Sequence, residues 1–308
     1  MSSAKRRVAG FVVAATCCAL LASCGPRQVQ LGLKLEEGDV YRLRVISQSI
    51  TGTSSESGDS TTYETSGFDI TFTVAEVDED GNTWIDAVYD WAMANTRAGT
   101  GEVEPPEEVD PSEEGLAELE GKGFSFRVGP NGEVLEIAGH NDLLDAVLEE
   151  VGLTDEEIQL GLGQMMESLI GDDGLKAQLS DIIIPYPDGR VAVGDSWTVN
   201  VELPGMLALL VESTYTLREV EEGIATIDVV STVQTDADAY PVSLTLYDMS
   251  YDLLGSSEGV IDVEVETGWA TSATITSTMS GEVVIVMAET ELRVPMTVES
   301  VSTLETLD

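Results

Sequence analysis

Residues 73–88 read TVAEVDEDGNTWIDAV, and residues 216–230 read TLREVEEGIATIDVV. Thr73 aligns with Thr216, Glu76 with Glu219, Val77 with Val220, Ile85 with Ile227 and Asp86 with Asp228, with one residue fewer in the second turn. Each stretch places a turn dipeptide, Asp80-Gly81 or Glu222-Gly223, between two apolar-alternating runs, which is a hairpin signature. Upstream, Gly38-Asp39-Val40-Tyr41-Arg42-Leu43-Arg44-Val45 matches Gly194-Asp195-Ser196-Trp197-Thr198-Val199-Asn200-Val201. Both read G-D-x-aromatic-x-aliphatic-x-V. Downstream, GFSFRVGPNG at 123–132 matches GVIDVEVETG at 259–268, with the glycines nine apart in both. Three pairs in the same order predict a duplicated chain with halves at 32–139 and 188–308.

Each half reads as antiparallel strands. Phe68, Ile70, Phe72 and Val74 alternate with Asp69, Thr71 and Thr73, and the same pattern recurs at Phe124, Phe126 and Val128 and at Leu292, Val294, Met296 and Val298. Period-two alternation means one buried face and one wet face. Pro295 points to an edge strand, because proline lacks the N–H a central ladder needs. The expected class is α+β, mainly β: about ten to twelve strands by turn spacing, in a curved sheet or half-barrel with a central helical insert.

The insert spans 140–187. Leu143, Leu144, Val147, Leu148 and Val151 form one apolar stripe, which Gly152 ends. Thr154-Asp155-Glu156-Glu157 is a capping box opening a second helix, lined by Ile158, Leu162, Met165, Met166 and Leu169. A third short helix is expected around Leu175 to Ile183, before Pro185. The two main helices are apolar on one side and must lie against something. Leu148, Val151, Ile158, Leu162, Met165, Met166 and Leu169 are therefore the candidate lid over the sheet. Residues 52–66 (GTSSESGDSTTYETS) read as a Ser/Thr-rich hairpin loop, and residues 98–120, with nine acidic residues, as an acidic loop. The halves and the insert are expected to form one structural unit.

At the N-terminus, Lys5, Arg6 and Arg7 precede an apolar run from Val8 to Leu21 and the small residues Ala22 and Ser23. That is a signal-peptide layout over residues 1–23. The run has 14 residues, short of the roughly 20 a bilayer-spanning helix needs. Leu21-Ala22-Ser23-Cys24 resembles the lipobox of bacterial lipoproteins. That resemblance implies cleavage between Ser23 and Cys24, a lipid on the Cys24 sulfur (palmitate or a similar acyl group), and a tether over 24–31. Cys17 and Cys18 would leave with the leader, so no disulfide is expected.

The chain has 57 acidic and 14 basic residues, a net charge of −43. Such a balance argues against nucleic-acid partners. Two origins remain open, a saline habitat that screens the repulsion or binding of multivalent cations; the even spread of the acids favours the first. Hydrophobic residues make up 43%, enough for a real core.

The search for chemistry yields little. His140 is the sole histidine and sits where a helix begins. With one histidine and no free thiol, neither a Cys–His pair nor a zinc cluster can be assembled. No cofactor motif occurs. Asp86 and Asp228 are equivalent in the repeat, and Asp90 shares the strand face of Asp86, yet in so acidic a chain a carboxylate pair means little. DEDGN at 78–82 hints at a calcium loop, but position twelve is Ala87 where a bidentate glutamate is needed, so it reads as a hairpin turn. Trp84, Trp91, Trp197 and Trp269 lie near strand ends, with core packing as the default role. No catalytic and no metal-binding residue is expected.

The arrangement resembles a family of bacterial lipoproteins catalogued as a domain of unknown function. The resemblance rests on the lipobox, the aromatic-bearing G-D strand start, the central helix pair and PDGRVAVGDSW at 187–197. In architecture it is also similar to the half-barrels of periplasmic lipoprotein and lipid carriers. The resulting expectation is a non-enzymatic envelope lipoprotein, membrane-bound through Cys24, holding a hydrophobic ligand between sheet and helices. The alternatives are an envelope protein with a solid core that acts through protein contacts, and a carboxylate-based hydrolase. In a cell with two membranes, Gly25 after the cysteine favours the outer one.

Overall fold

The computed structural model describes residues 28–55, 58–100, 119–145, 170–180, 182–203, 207–237, 241–244, 247–287 and 290–307. In chain order these form β1 (Gln28–Gln30), β2 (Val40–Ser55), β3 (Gly58–Val77), β4 (Thr83–Gly99), β5 (Gly123–Val128) and β6 (Val134–Ala138). Helix α1 (Asp172–Ser180) follows, then β7 (Arg190–Ala192), β8 (Ser196–Leu203), β9 (Leu209–Glu221) and β10 (Ile224–Thr235). The chain continues through β11 (Val242–Leu244), β12 (Tyr247–Glu264), β13 (Ala270–Met287) and β14 (Thr290–Thr306). Twelve strands form one antiparallel sheet, ordered β6-β5-β4-β3-β2-β14-β13-β12-β10-β9-β8, with β11 paired to β12; β1 and β7 make a separate ribbon. The protein is α+β and mainly β, and the large sheet does not close into a barrel.

The strand order makes the duplication visible. Each half is a meander of five neighbours, β2 to β6 and β8-β9-β10-β12-β13, and β14 lies between them. Equivalent strands are six places apart in that order. Six antiparallel steps restore direction, so the halves repeat in tandem instead of facing each other across a two-fold axis. The local details repeat too. Val74 pairs with Ile85 and Glu76 with Trp84, which leaves Ala75 as a bulge. In the second half Leu217 pairs with Ile227 and Glu219 with Thr226, which leaves Arg218 as the same bulge.

The third sequence match needs correcting by one residue. Ser125 lies opposite Asp86, and Val260 lies opposite Asp228. Phe126 is therefore equivalent to Ile261 and Val128 to Val263, all four buried. The nine-residue glycine spacing would set Phe126 against Asp262, on the opposite face. A one-residue slip reverses every side chain in a strand, so burial decides the register. The second turn carries one extra residue: Gly129 N–H bonds to Glu133 O, whereas Glu264 N–H bonds to Trp269 O.

Helix α1 shows that the sheet curls. It touches both β6 and β8, the two edge strands. Laid flat, eleven strands would separate those edges by about 48 Å at about 4.8 Å per strand, whereas nine helical residues span about 13 Å. The sheet therefore wraps round until its edges approach one helix. Glycines let the strands bend closely past each other. A Cβ on Gly255 or Gly259 would sit 2.1 or 2.3 Å from a carbonyl oxygen of β13.

One end of the open barrel is sealed. Leu33 N–H bonds to Pro130 O and Lys34 N–H to Thr267 O, both at 2.8 Å. Consecutive amides thus tie together equivalent turns of the two halves. Tyr186 N–H bonds to Asn131 O, and its buried hydroxyl donates to Gly268 O at 2.7 Å. Trp269, from the second half, stacks on Tyr41 of the first at 4.4 Å and meets the Phe72 edge at 5.3 Å. Leu31, Leu33, Leu35, Ile182, Ile183 and Ile184 fill the rest of this plug and are all buried.

Four other expectations change. Residues 52–66 are not a loop: β2 and β3 pair from Val40↔Thr73 out to Ser55↔Gly58. Backbone hydrogen bonds hold this ladder where the side chains show no apolar pattern. The tether expected over 24–31 is part of the fold from Gln28 onward, because β1 pairs with β7 and buries Val29 and Leu31. Pro295 lies in β14, an interior strand, but the β2 ladder stops at Met296↔Thr53, so the ring stands where β14 has only β13 beside it. The third helix runs Asp172–Ser180 instead of reaching Ile183; the N–H groups of Ile182 and Ile183 both bond back to Leu179 O as it unwinds.

Candidate functional site

The inner face of the curled sheet has three bands. Next to the plug lies the main core, where Leu43, Ile70, Phe72, Ile85, Phe126, Leu217 and Ile227 are 2% exposed or less. Phe72 and Phe126 meet edge to face at 6.0 Å. Tyr89 points inward to α1 and donates to Gln178 Oε1 at 3.4 Å. Burial pushes its pKa up to about 12, so it remains a neutral hydroxyl.

Beyond the core the inner face turns polar in one step. Ser213 lies opposite Ser231, Ser231 opposite Ser257, Ser257 opposite Ser277, Ser277 opposite Ser300, and Ser300 opposite Ser49. Six serines from six adjacent strands therefore form one unbroken cross-strand row, with Cβ atoms of neighbours about 5 Å apart. Val199 and Glu64 continue it at its two ends. Ser302, Ser47 and Ser66 add a short second row on the core side. The long row runs from partly exposed at Ser49 to buried at Ser231 and Ser213.

Past the serines the same face becomes apolar again. Val233, Leu253 and Val283 are buried and separate from the main core cluster, with Val211, Met279, Val298, Tyr251, Val294 and Met296 beside them. The inner surface is thus apolar, hydroxylated, then apolar, along the length of the strands.

The carboxylates singled out by sequence lie elsewhere. Asp86 accepts from Ser125 Oγ at 2.6 Å, Asp90 from Thr71 Oγ1 at 2.5 Å, and Asp228 is gripped by Arg218. Asp86 and Asp228 alternate with inward-facing residues, so each faces outward, bound across strands, and they form no acid pair. Asp78 accepts from the amides of Asp80 and Asn82, from Asn82 Nδ2 and from Arg127. The Asn82 and Arg127 bonds depress its pKa to about 2. DEDGN is therefore a locked hairpin turn, with Gly81 at φ +82°. Among the described residues no group of acidic, histidine or cysteine side chains could hold a metal ion.

His140 opens a helical turn: its carbonyl accepts the N–H groups of Leu143 and Leu144, and Nδ1 lies 3.1 Å from Asp172 Oδ1. Trp197 stacks on Tyr215 at 5.6 Å and donates to Pro185 O at 2.9 Å. On the outer face Arg44 forks onto Asp69, both bonds 2.7 Å, and lies over the Trp91 ring at 5.9 Å. The Asp69 bond raises the Arg44 pKa.

The lid residues Leu148, Val151, Ile158, Leu162, Met165, Met166 and Leu169 lie outside the described residues, as do Ser23 and Cys24. Among the described residues no helix is long and apolar enough to cross a membrane. The serine row escaped sequence reading. Each serine holds an inward strand position, as in Ile227-Asp228-Val229-Val230-Ser231, but register across six strands is not written in any one of them.

The family of unknown function DUF6263 matches residues 80–270. The chain belongs to this family. The match runs from the first hairpin, through the insert, to the second plug turn. No curated protein matches the chain. Among solved structures, lipovitellin, studied for its lipid–protein interactions, aligns over 89% of this chain at 11% identity and a TM-score of 0.48. This chain spans only 26% of that one. An outer membrane channel from Pseudomonas putida F1 aligns over 89% of this chain and 97% of its own, at 8% identity and a TM-score of 0.25. At these scores neither likeness carries weight for function.

Proposed function

We propose that this protein is a non-enzymatic, lipid-anchored envelope protein that holds an amphiphile against the inner face of its open barrel. The observation that carries this reading is the second apolar band. Beyond the polar row Met279, Val298, Met296 and Val294 face inward, stand only half-buried and are not part of the main core. A molecule with a polar middle or head and an apolar chain matches that order of surfaces. Ligand sites in β-barrels commonly sit in the barrel mouth, mostly apolar with a few placed polar groups. The anchor at Cys24 would hold the sealed end near the bilayer, because β1 begins four residues later.

The test is native mass spectrometry of protein purified from its own membrane, followed by titration of the stripped protein with a fluorescent fatty acid. A stoichiometric co-purifying small molecule and saturable uptake are expected. The absence of both a bound molecule and uptake would overturn the reading. The second reading, action through protein contacts, is favoured by the completeness of the plug and main core, which leave one end of the barrel solid.

A further inference from the structure

The serine row narrows the class of ligand, an inference that rests on the amphiphile reading above. Serine hydroxyls both donate and accept hydrogen bonds. In the buried pair, Ser213 Oγ and Ser231 Oγ are 2.8 Å apart, and each makes that bond alone. Two hydroxyl protons share one internal bond, so one buried donor is left without an acceptor. Ser257, Ser277 and Ser300 make no side-chain hydrogen bond to any described residue. Ser49 Oγ donates to Glu64 Oε2 at 3.4 Å, so between that pair and the buried pair Ser257, Ser277 and Ser300 present unused donors and acceptors in series.

Charge excludes the commonest alternative. Along this row and the apolar band beyond it, the one carboxylate among the described residues that faces inward is Glu64, at the open end, and no described lysine or arginine does so. Arg293, Glu282, Glu212 and Glu258 belong to the alternate, outward set of their strands. A phosphate headgroup placed here would meet no cation among the described residues, inside a chain of net charge −43. Burying an unpaired charge costs far more than burying a hydrogen-bonded hydroxyl.

We propose that the inner face binds an uncharged, polyhydroxylated amphiphile, a glycosyl diglyceride or a molecule of that chemistry, with its sugar hydroxyls on the half-buried part of the row, Ser257–Ser277–Ser300–Ser49. Its acyl chain lies over the half-buried, inward-facing Met279, Val298, Met296 and Val294 beyond the row.

The test titrates the full chain, freed of co-purifying lipid, with two NBD-labelled probes of equal acyl length: a monoglucosyl diacylglycerol and a phosphatidylglycerol. The glycosyl probe should bind at least tenfold more tightly. Ser257→Val together with Ser277→Val should reduce that preference to below threefold while the phosphatidylglycerol affinity holds. Ser257→Ala with Ser277→Ala, which removes the hydroxyls without adding bulk, should do the same, and thermal melts of both variants report on folding. Equal binding of the two probes, or a preference that survives both variants, overturns the headgroup assignment and leaves the amphiphile reading standing. Binding of neither probe overturns both.

Discussion

Asp39 and Asp195 occupy the same place in two copies of one turn. The Asp39 carboxylate accepts the Glu36 N–H at 2.9 Å, and the Asp195 carboxylate accepts the Ala192 N–H at 2.8 Å. The glycine before each has φ of +92° or +93°. Gly38 N–H bonds to Val74 O and Val74 N–H to Asp39 O, while Gly194 and Asp195 bond in the same way to Leu217. The G-D motif is thus a device for starting a strand beside its partner's bulge. Replacing either aspartate with alanine should cost about 1 kcal/mol. The two sites are six strands apart, so the costs should add within about 0.5 kcal/mol. Urea unfolding of both single variants and the double variant measures this.

Asp78 gives the fold an acid-sensitive hairpin. Its pKa in the folded chain is depressed to about 2 by Asn82 and Arg127, below the roughly 3.9 of an unfolded aspartate. Its stabilising contribution is therefore complete above about pH 4 and lost as the pH falls through about 2. Asp78→Ala should lower the melting temperature at pH 7, and the difference from the parent should shrink between about pH 4 and 2. A difference that stays constant over that range would refute this account.

Arg44 and Asp69 form a two-pronged pair in which the aspartate is 8% exposed. Arg44→Met leaves that carboxylate unpaired and should destabilise the protein by about 2–4 kcal/mol. Adding Asp69→Asn should recover most of the loss, since a neutral amide tolerates burial better. Chemical denaturation of the three variants provides the cycle, and no recovery in the double variant would point to lost packing on Trp91 instead.

Cys24→Ala should release the protein from membranes and abolish metabolic lipid labelling. With β1 starting at Gln28, only Gly25, Pro26 and Arg27 would separate the proposed anchor from the fold. Their maximum reach is about 10 Å at roughly 3.5 Å per residue. Inserting ten glycine–serine residues after Gly25 should therefore open proteolytic access to the plug end in intact membranes. Membrane retention of the alanine variant would defeat the anchor assignment.

Salt should stabilise the fold. Loss of Lys5, Arg6 and Arg7 with the leader would take the net charge from −43 to −46. The melting temperature should rise as sodium chloride goes from about 0.05 to 1 M, over which the screening length falls several-fold. An equal rise at sub-millimolar calcium would indicate specific cation sites instead.

The sequence alone determined the apolar-alternating strands and their repetition. Alternation such as Phe68-x-Ile70-x-Phe72-x-Val74 reports which residues share a face, and the paired G-D and hairpin motifs report that the unit occurs twice. These are local properties, set by backbone period and turn chemistry within a few residues. Only the tertiary structure decided how the units are joined. Nothing local places β14 between β13 and β2, brings α1 against both β6 and β8, or sets Phe126 equivalent to Ile261 instead of Asp262. Those facts depend on strand register, and a shift of one residue exchanges the two faces of a strand. The serine row is the clearest case. Six serines scattered from position 49 to position 300 become one surface only because five ladders fix each opposite the next, and the energy that holds those ladders comes from the buried band below them.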